Sequence, residues 1–159
     1  MQLSLHADYA CRALIYLAIE PQASIPKISE AFGISNNHLV KVVHRLGQEG
    51  FVKTTRGKGG GIQLARSPEE IRLGDVIRKM EPGFDMVECF NRATNTCRIL
   101  PGCGLNHALK EASDAFLATL DKYSLSDVIK NETYLKKILL RGLNDRSNNR
   151  YSIGERRGL

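Results

Sequence analysis

No run in this sequence is long and apolar enough to span a bilayer. Its most hydrophobic stretch, MQLSLHADYACRALIYLAIEP, carries Asp8 and Arg12 inside the apolar run and lacks the layout of a signal peptide. The expectation is a chain that stays in the cytoplasm and touches no membrane. Internal repeats are absent too, so 159 residues read as one domain, or one small domain with an extension. Acids are in the minority, 17 against 23 Lys and Arg, and the net charge of +6 points to a polyanionic partner. The excess is uneven: eight bases against four acids over residues 1–66, ten against eleven over 67–140, and five against two from 141 onward. Positive charge therefore gathers at the two ends.

Cysteine is scarce, four residues in all, yet Cys89, Cys97 and Cys103 fall together in ECFNRATNTCRILPGCG with spacing C-x7-C-x5-C. The surrounding Asn91, Asn95, Pro101, Gly102 and Gly104 describe a loop, in which soft thiolate donors can wrap one ion or cluster without a helix or strand fixing their directions. The tight C-x2-4-C pairs usual in zinc sites are missing. Zinc would need a fourth ligand, and His107, four residues beyond Cys103, is the residue placed to supply it. Spacings of seven and five favour a larger object, an iron–sulfur cluster. A disulfide, or reduced thiols that merely pack, are the alternatives, and a reducing compartment sets metal above disulfide. No general base pair or cofactor motif accompanies the thiols, which leaves a redox enzyme unsupported. The chain is read as a non-enzyme.

The N-terminal half has a different pattern. A first helix starts after Ser4, a good N-cap, and runs to about Glu20 before Pro21, with Ala10, Ala13, Leu14 and Leu17 as its apolar stripe. Asp8 projects opposite that stripe, where an acid complements the helix dipole; Cys11 lies beside it as a packed thiol. A short helix over Pro26 to Phe32, a glycine turn at Gly33 and a helix from Ser35 to about Gly47 make a helix-turn-helix. In the second of these, Leu39, Val42, Val43 and Leu46 form the buried face. Asn37, Lys41, His44 and Gln48 form the opposite face, flanked by His38 and Arg45. Amide, imidazole and base side chains suit reading base edges and gripping phosphates, although a solvated face has the same composition.

After Gly50, FVKTTRGKGGGIQLAR reads as two short strands joined by a tip of glycine and positive charge, including Arg56, Lys58, Gly59 and Gly60. A phosphate-binding P-loop is excluded, because G-x4-G-K-[ST] is absent and no helix begins after the glycines. A wing fits better: glycine lets backbone approach a groove, and Arg56 and Lys58 supply phosphate or minor-groove contacts. A short helix from about Leu73 to Glu81, closed by Pro82-Gly83, leads into the cysteine loop. Beyond it Leu105, Leu109, Ala112, Phe116 and Leu120 recur at helical spacing from Gly104 to about Tyr123. That stripe exceeds what one small head needs and predicts a dimer contact. Two short helices, Leu125 to Lys130 and Thr133 to Leu140, and a polar aperiodic tail over 141–159, expected to be disordered, complete the chain.

Taken together, the residues resemble the winged-helix regulators of the IscR/NsrR/RirA family over about residues 1–140. DYACRALIYLA is similar to the family's first helix, NHLVKVVHRLGQEGFV to its recognition helix, RGKGGGIQLAR to its wing and LGDVIRKMEP to its linker. VECF, NTCRILPGC and AFLATLDKYSLSDV resemble the nitric-oxide-sensing branch most. The resemblance implies a mainly α fold with a small β-hairpin wing: a winged helix-turn-helix head with linker helix over 1–81, a cluster-binding loop over 82–104, and a dimerisation helix with short C-terminal helices over 105–140. It implies a homodimeric repressor of double-stranded promoter DNA that takes nitric oxide as its signal. It implies further that Cys89, Cys97 and Cys103 hold a 4Fe-4S cluster with Asp8 of the partner subunit as fourth ligand. Iron or cluster status is the alternative signal. A 2Fe-2S cluster with a histidine ligand is disfavoured, since Asn106 stands where that branch has its histidine and His107 comes one place later. Ser35, Asn37, His38, Lys41, His44, Arg45, Arg56, Lys58, Gly59 and Gly60 are the expected DNA-binding residues.

Overall fold

Ser4 starts the fold. Its hydroxyl accepts the Ala7 N–H at 3.2 Å and so caps the first helix, α1 (Leu5–Ile19). The computed structural model describes residues 2–57, 59–81, 83 and 85–141, so the expectations for Lys58, for Pro82 and for the tail from 142 onward lie outside the described residues. Helix α1 is buried on more sides than its expected stripe. Ala7, Ala10, Ala13, Leu14, Tyr16, Leu17 and Ile19 are all inside, and α1 packs against five other helices and a strand. Small residues permit this, because alanine lets neighbouring backbones approach closely while Tyr16 and the leucines fill the gaps.

Helix α2 (Ile25–Phe32) ends at Gly33, whose φ of 64° is the left-handed turn that glycine adopts at no steric cost. Ser29 donates its hydroxyl to the Ile34 carbonyl beneath the turn, which satisfies a buried polar side chain and fixes the corner. Ser35 then caps α3 (Asn36–Gln48) through the His38 N–H at 3.3 Å. Leu39, Val42, Val43 and Leu46 are buried as the wheel requires. Strands β1 (Val52–Thr55) and β2 (Gly61–Leu64) pair antiparallel, Val52 opposite Leu64 and Thr55 opposite Gly61. A third contact joins them: Ile62 N–H donates to the Ala23 carbonyl at 2.7 Å, and Ala23 N–H to the Ile62 carbonyl at 3.1 Å. The hairpin is thereby stitched to the turn between α1 and α2.

Helix α4 (Leu73–Met80) buries Val76, Ile77 and Met80. The chain then passes through two 3₁₀ turns, Glu88–Phe90 and Leu100–Gly102, into α5 (Gly104–Leu120), α6 (Leu125–Val128) and α7 (Glu132–Arg141). Helix α5 stops at Leu120, three residues short of the expected Tyr123. Tertiary pairing wins there over helical propensity: the Tyr123 carbonyl accepts the Leu73 N–H at 2.9 Å, and Leu125 N–H donates to the Ile71 carbonyl at 2.8 Å. Helix α6 opens with a capping box in which Ser124 and Asp127 satisfy each other's backbone N–H. Helix α7 folds back onto α1 and α2, burying Leu139. Among the described residues no helix is long and apolar enough to cross a membrane. The architecture is mainly α with one β-hairpin, a winged helix-turn-helix followed by a long helix.

Candidate nucleic-acid interface and cysteine loop

Because α3 buries one face, its other face is presented outward. Ser35, Asn37, His38, Lys41, His44 and Arg45 are all exposed. They do not act alike. Arg45 turns away from the open face: its guanidinium lies 2.8 Å from the Glu49 carboxylate and donates to the Lys79 carbonyl at 3.4 Å. His38 is drawn toward α1, its ring 6.2 Å from that of Tyr9. A cavity of about 150 Å³ opens there between Leu5, His6, Tyr9, His38, Lys41 and Val42. One outward residue escaped the sequence reading: Val40 is 49% exposed on the same face. Its signal was present, as an apolar side chain off the buried stripe of a helix whose every other outward residue is polar.

At the hairpin tip, Gly57 (φ 99°) and Gly59 (φ 85°) take conformations that side chains resist, and a Cβ on Gly60 would stand 2.2 Å from the Thr55 carbonyl. Glycine is thus demanded by the turn itself. Gln22 donates to the Gly59 carbonyl and accepts from Gln63 at 3.0 Å, which holds the tip against the α1–α2 corner. Arg56 is exposed beside it. At the root, Arg66 stacks 4.7 Å over the Phe51 ring and donates to the Gly50 carbonyl at 3.2 Å, so the strands are braced from both ends.

The cysteine loop is built by local polar bonds, since no described residue from 81 to 112 is buried. Glu88 accepts from both the Thr96 N–H (2.9 Å) and the Thr96 hydroxyl (2.8 Å), closing the first limb. Those bonds, the hydroxyl's first, hold the Glu88 carboxyl below its ordinary range. Asn91 accepts from Ala93 N–H at 3.1 Å and Asn95 from Cys97 N–H at 3.0 Å, two turns made by asparagine side chains. Asn106, in the first turn of α5, donates its amide to the Cys89 sulfur at 3.1 Å. A cleft of about 560 Å³ runs between this limb and α5, lined by Cys89, Phe90, Arg92, Asn106, Lys110 and Ser113 among others.

Cys89, Cys97 and Cys103 are free and half-buried, so the disulfide alternative is not what the structure holds. Among the described residues no three His, Cys, Asp or Glu side chains converge as a metal-holding group, and the three loop cysteines are not drawn together. As a donor set they nevertheless suit an iron–sulfur cluster: unpaired thiols on a locally stapled loop, one already receiving an N–H···S bond. His107 is exposed on α5. Asp8 lies in the first turn of α1, its carboxylate 2.7 Å from Arg12. The fourth cysteine differs in kind. Cys11 packs against the core, and burial, with the nearby Asp8 and Glu81 charges, pushes its thiol up to about 11.

A helix-turn-helix with an outward polar helix and a glycine-tipped wing defines a class, the winged-helix proteins. The chain belongs to the Rrf2 family, described as an iron-dependent transcriptional regulator, whose model matches residues 3–131. Among curated relatives, the HTH-type transcriptional regulator NsrR of Bacillus subtilis (strain 168) is 50% identical over 142 residues, 87% of this chain and 97% of that protein. NsrR of Shouchella clausii (strain KSM-K16) is 44% identical, covering 87% and 95%. Of solved structures, T. potens IscR superposes with a TM-score of 0.66 at 27% identity, over 82% of this chain and 88% of that one. CymR, the global cysteine regulator of B. subtilis, gives 0.65 at 26%, over 82% and 98%.

Proposed function

We propose that the protein is a homodimeric repressor that binds promoter DNA through α3 and the wing, and releases it when nitric oxide attacks an iron–sulfur cluster held by Cys89, Cys97 and Cys103. One observation carries this reading: three free, half-buried thiols sit on a solvent-facing loop interposed between a winged-helix head and a long helix whose apolar residues the single chain covers only in part. On α5 only Ser113 is buried, while Leu105 is 65% exposed and Ala112 is also outside. A second copy of the chain covering that stripe supplies the missing burial. The relatives named NsrR support the nitric oxide signal.

When bound, a 4Fe-4S cluster supplies iron that nitric oxide attacks. The chain's own residues do the rest. Cys89, Cys97 and Cys103 would hold the group as thiolates, with Asn106 steadying the Cys89 sulfur. Asp8 of the partner subunit would be the fourth ligand, a hard carboxylate among soft thiolates and so the weakest donor of the set. Arg12 orients the Asp8 carboxylate at 2.7 Å and would compete with the cluster for it. Ser35, Asn37, His38, Lys41 and His44 on α3, with Arg56, Lys58, Gly59 and Gly60 of the wing, meet DNA; Arg45 flanks them from the α4 side. Two such heads read two half-sites, and small changes in their spacing or angle weaken binding sharply.

The test is anaerobic purification. The protein should be brown, contain iron and sulfide, run as a dimer and retard operator DNA, with retardation lost on adding a nitric oxide donor. Colourless protein holding stoichiometric zinc would overturn the cluster, and release by an iron chelator but not by nitric oxide would transfer the signal to iron status.

A further inference from the structure

Three residues near the end of α4 reach three different elements. Arg78 makes a bidentate pair with Asp121 at the end of α5, both bonds 2.6 Å long. Lys79 lies 3.1 Å from Glu49, the residue that also holds Arg45 at the end of α3. Glu81, just past the helix, accepts the Ser4 N–H at 2.8 Å, where α1 and its Asp8 begin. Successive helical residues diverge by about 100°, so neighbours in sequence can face opposite elements. Here they face the long helix and the DNA-reading helix.

The α4–α5 joint is fixed at two points. Backbone pairing between 71–73 and 123–125 anchors the start of α4. Val76, Ile77 and Met80 seat α4 in the core, but the backbone anchor by itself leaves the angle between α4 and α5 held at one point. Arg78 lies six residues beyond Arg72, about 9 Å along the axis, and its fork on Asp121 adds the second. Single exposed ion pairs contribute little, but a planar bidentate pair is the exception because its geometry is directional. Gly74 is cut to fit it: a Cβ there would stand 1.9 Å from the Asp121 Oδ1 and 2.9 Å from its Cγ.

We propose that α4 is a strut whose Arg78–Asp121 fork and Lys79–Glu49–Arg45 cluster fix the angle between α5 and the DNA-reading helix, making Gly74, Arg78, Asp121 and Glu49 positioning residues for cluster-dependent DNA binding. This rests on the reading above. A shift of α5 when the loop lets go turns α4, and α4 turns α3 through Glu49. Gly74, Arg78 and Asp121 belong neither to the cysteine loop nor to the surface proposed to meet DNA, so their substitution separates transmission from both.

The experiment compares affinity for a promoter fragment, one that wild-type protein selects from a random duplex pool, between cluster-loaded and cluster-free full-length dimers. Gly74→Ala forces the fork apart without removing a charge, and Asp121→Asn removes the charge without changing shape. Each should keep the visible absorption of the cluster and the wild-type far-ultraviolet spectrum, while the loaded-to-free affinity ratio falls by about tenfold. The exchanged pair Arg78→Asp with Asp121→Arg should recover part of the ratio, and serves where Gly74→Ala does not fold. An unchanged ratio in Gly74→Ala and Asp121→Asn overturns the strut alone. A wild-type ratio of one overturns cluster-controlled binding itself, and the strut with it.

Discussion

The Asn106 amide donates to the Cys89 sulfur at 3.1 Å, tying the first turn of α5 to the first cysteine of the loop. An N–H pointed at sulfur fixes the direction in which that sulfur faces. The same residue links the loop that carries the cysteines to the long helix α5.

Removing that bond should therefore loosen the held group without abolishing it. Asn106→Ala is expected to lower cluster retention by about 10- to 100-fold, read as faster bleaching of visible absorbance during chelator challenge. Cys97→Ala should abolish the absorbance outright with an unchanged far-ultraviolet spectrum, because no core packing depends on that loop. Equal bleaching in Asn106→Ala and wild type would leave the N–H···S contact without a role.

Cys11 should behave oppositely to the loop cysteines. Its folded thiol ionises near 11 instead of the ordinary 9.0, so between those values the unfolded chain loses the proton first. Stability from this group is fully present below pH 9 and declines as pH rises toward 11. Denaturant midpoints measured from pH 8 to 11 should fall more steeply for wild type than for Cys11→Ala. Alkylation of folded apo protein at neutral pH should label Cys89, Cys97 and Cys103 well before Cys11.

Lys41 on α3 and Arg56 at the hairpin tip are exposed, on the two surfaces proposed to meet DNA. Lys41→Ala and Arg56→Ala should each weaken binding across all sequences and reduce the slope of log affinity against log salt by about one. An unchanged slope would place that side chain away from phosphate.

Val40 carries no charge and no hydrogen-bond donor, so its contribution has another signature. An exposed aliphatic group on a helix in the major groove contacts thymine methyl groups. Val40→Ala should weaken binding to a thymine-containing operator and have little effect on the same duplex with uracil in place of thymine. Equal losses on both duplexes would assign Val40 to packing.

Much of the head was legible because its signals are local. Ser4 and Ser35 are caps, Gly33 is the left-handed turn, and the hairpin-tip glycines announce a reversal that few other residues survive. The buried face of α3 followed from spacing alone. Contacts between distant segments were not legible: the pairing of Ala23 with Ile62, the early stop of α5, and the turning of Arg45 toward Glu49 each depend on what another element brings. Asn106 stood out in the sequence only as a position without histidine, and its bond to Cys89 needed the loop to fold back on α5.

By itself, then, the sequence determined the kinds of groups present and the local turns they make: a capped helix with a polar outer face, a glycine-tipped hairpin, and three thiols on a polar loop. Periodicity and capping act over a few residues, so they survive without a partner. Only the tertiary structure decided which of the exposed charges are engaged, that Asp121 sits over Gly74 in the grip of Arg78, and that α4 reaches three elements at once. Those relations depend on distances between segments up to 77 residues apart in sequence, as for Ser4 and Glu81, and no local pattern encodes them.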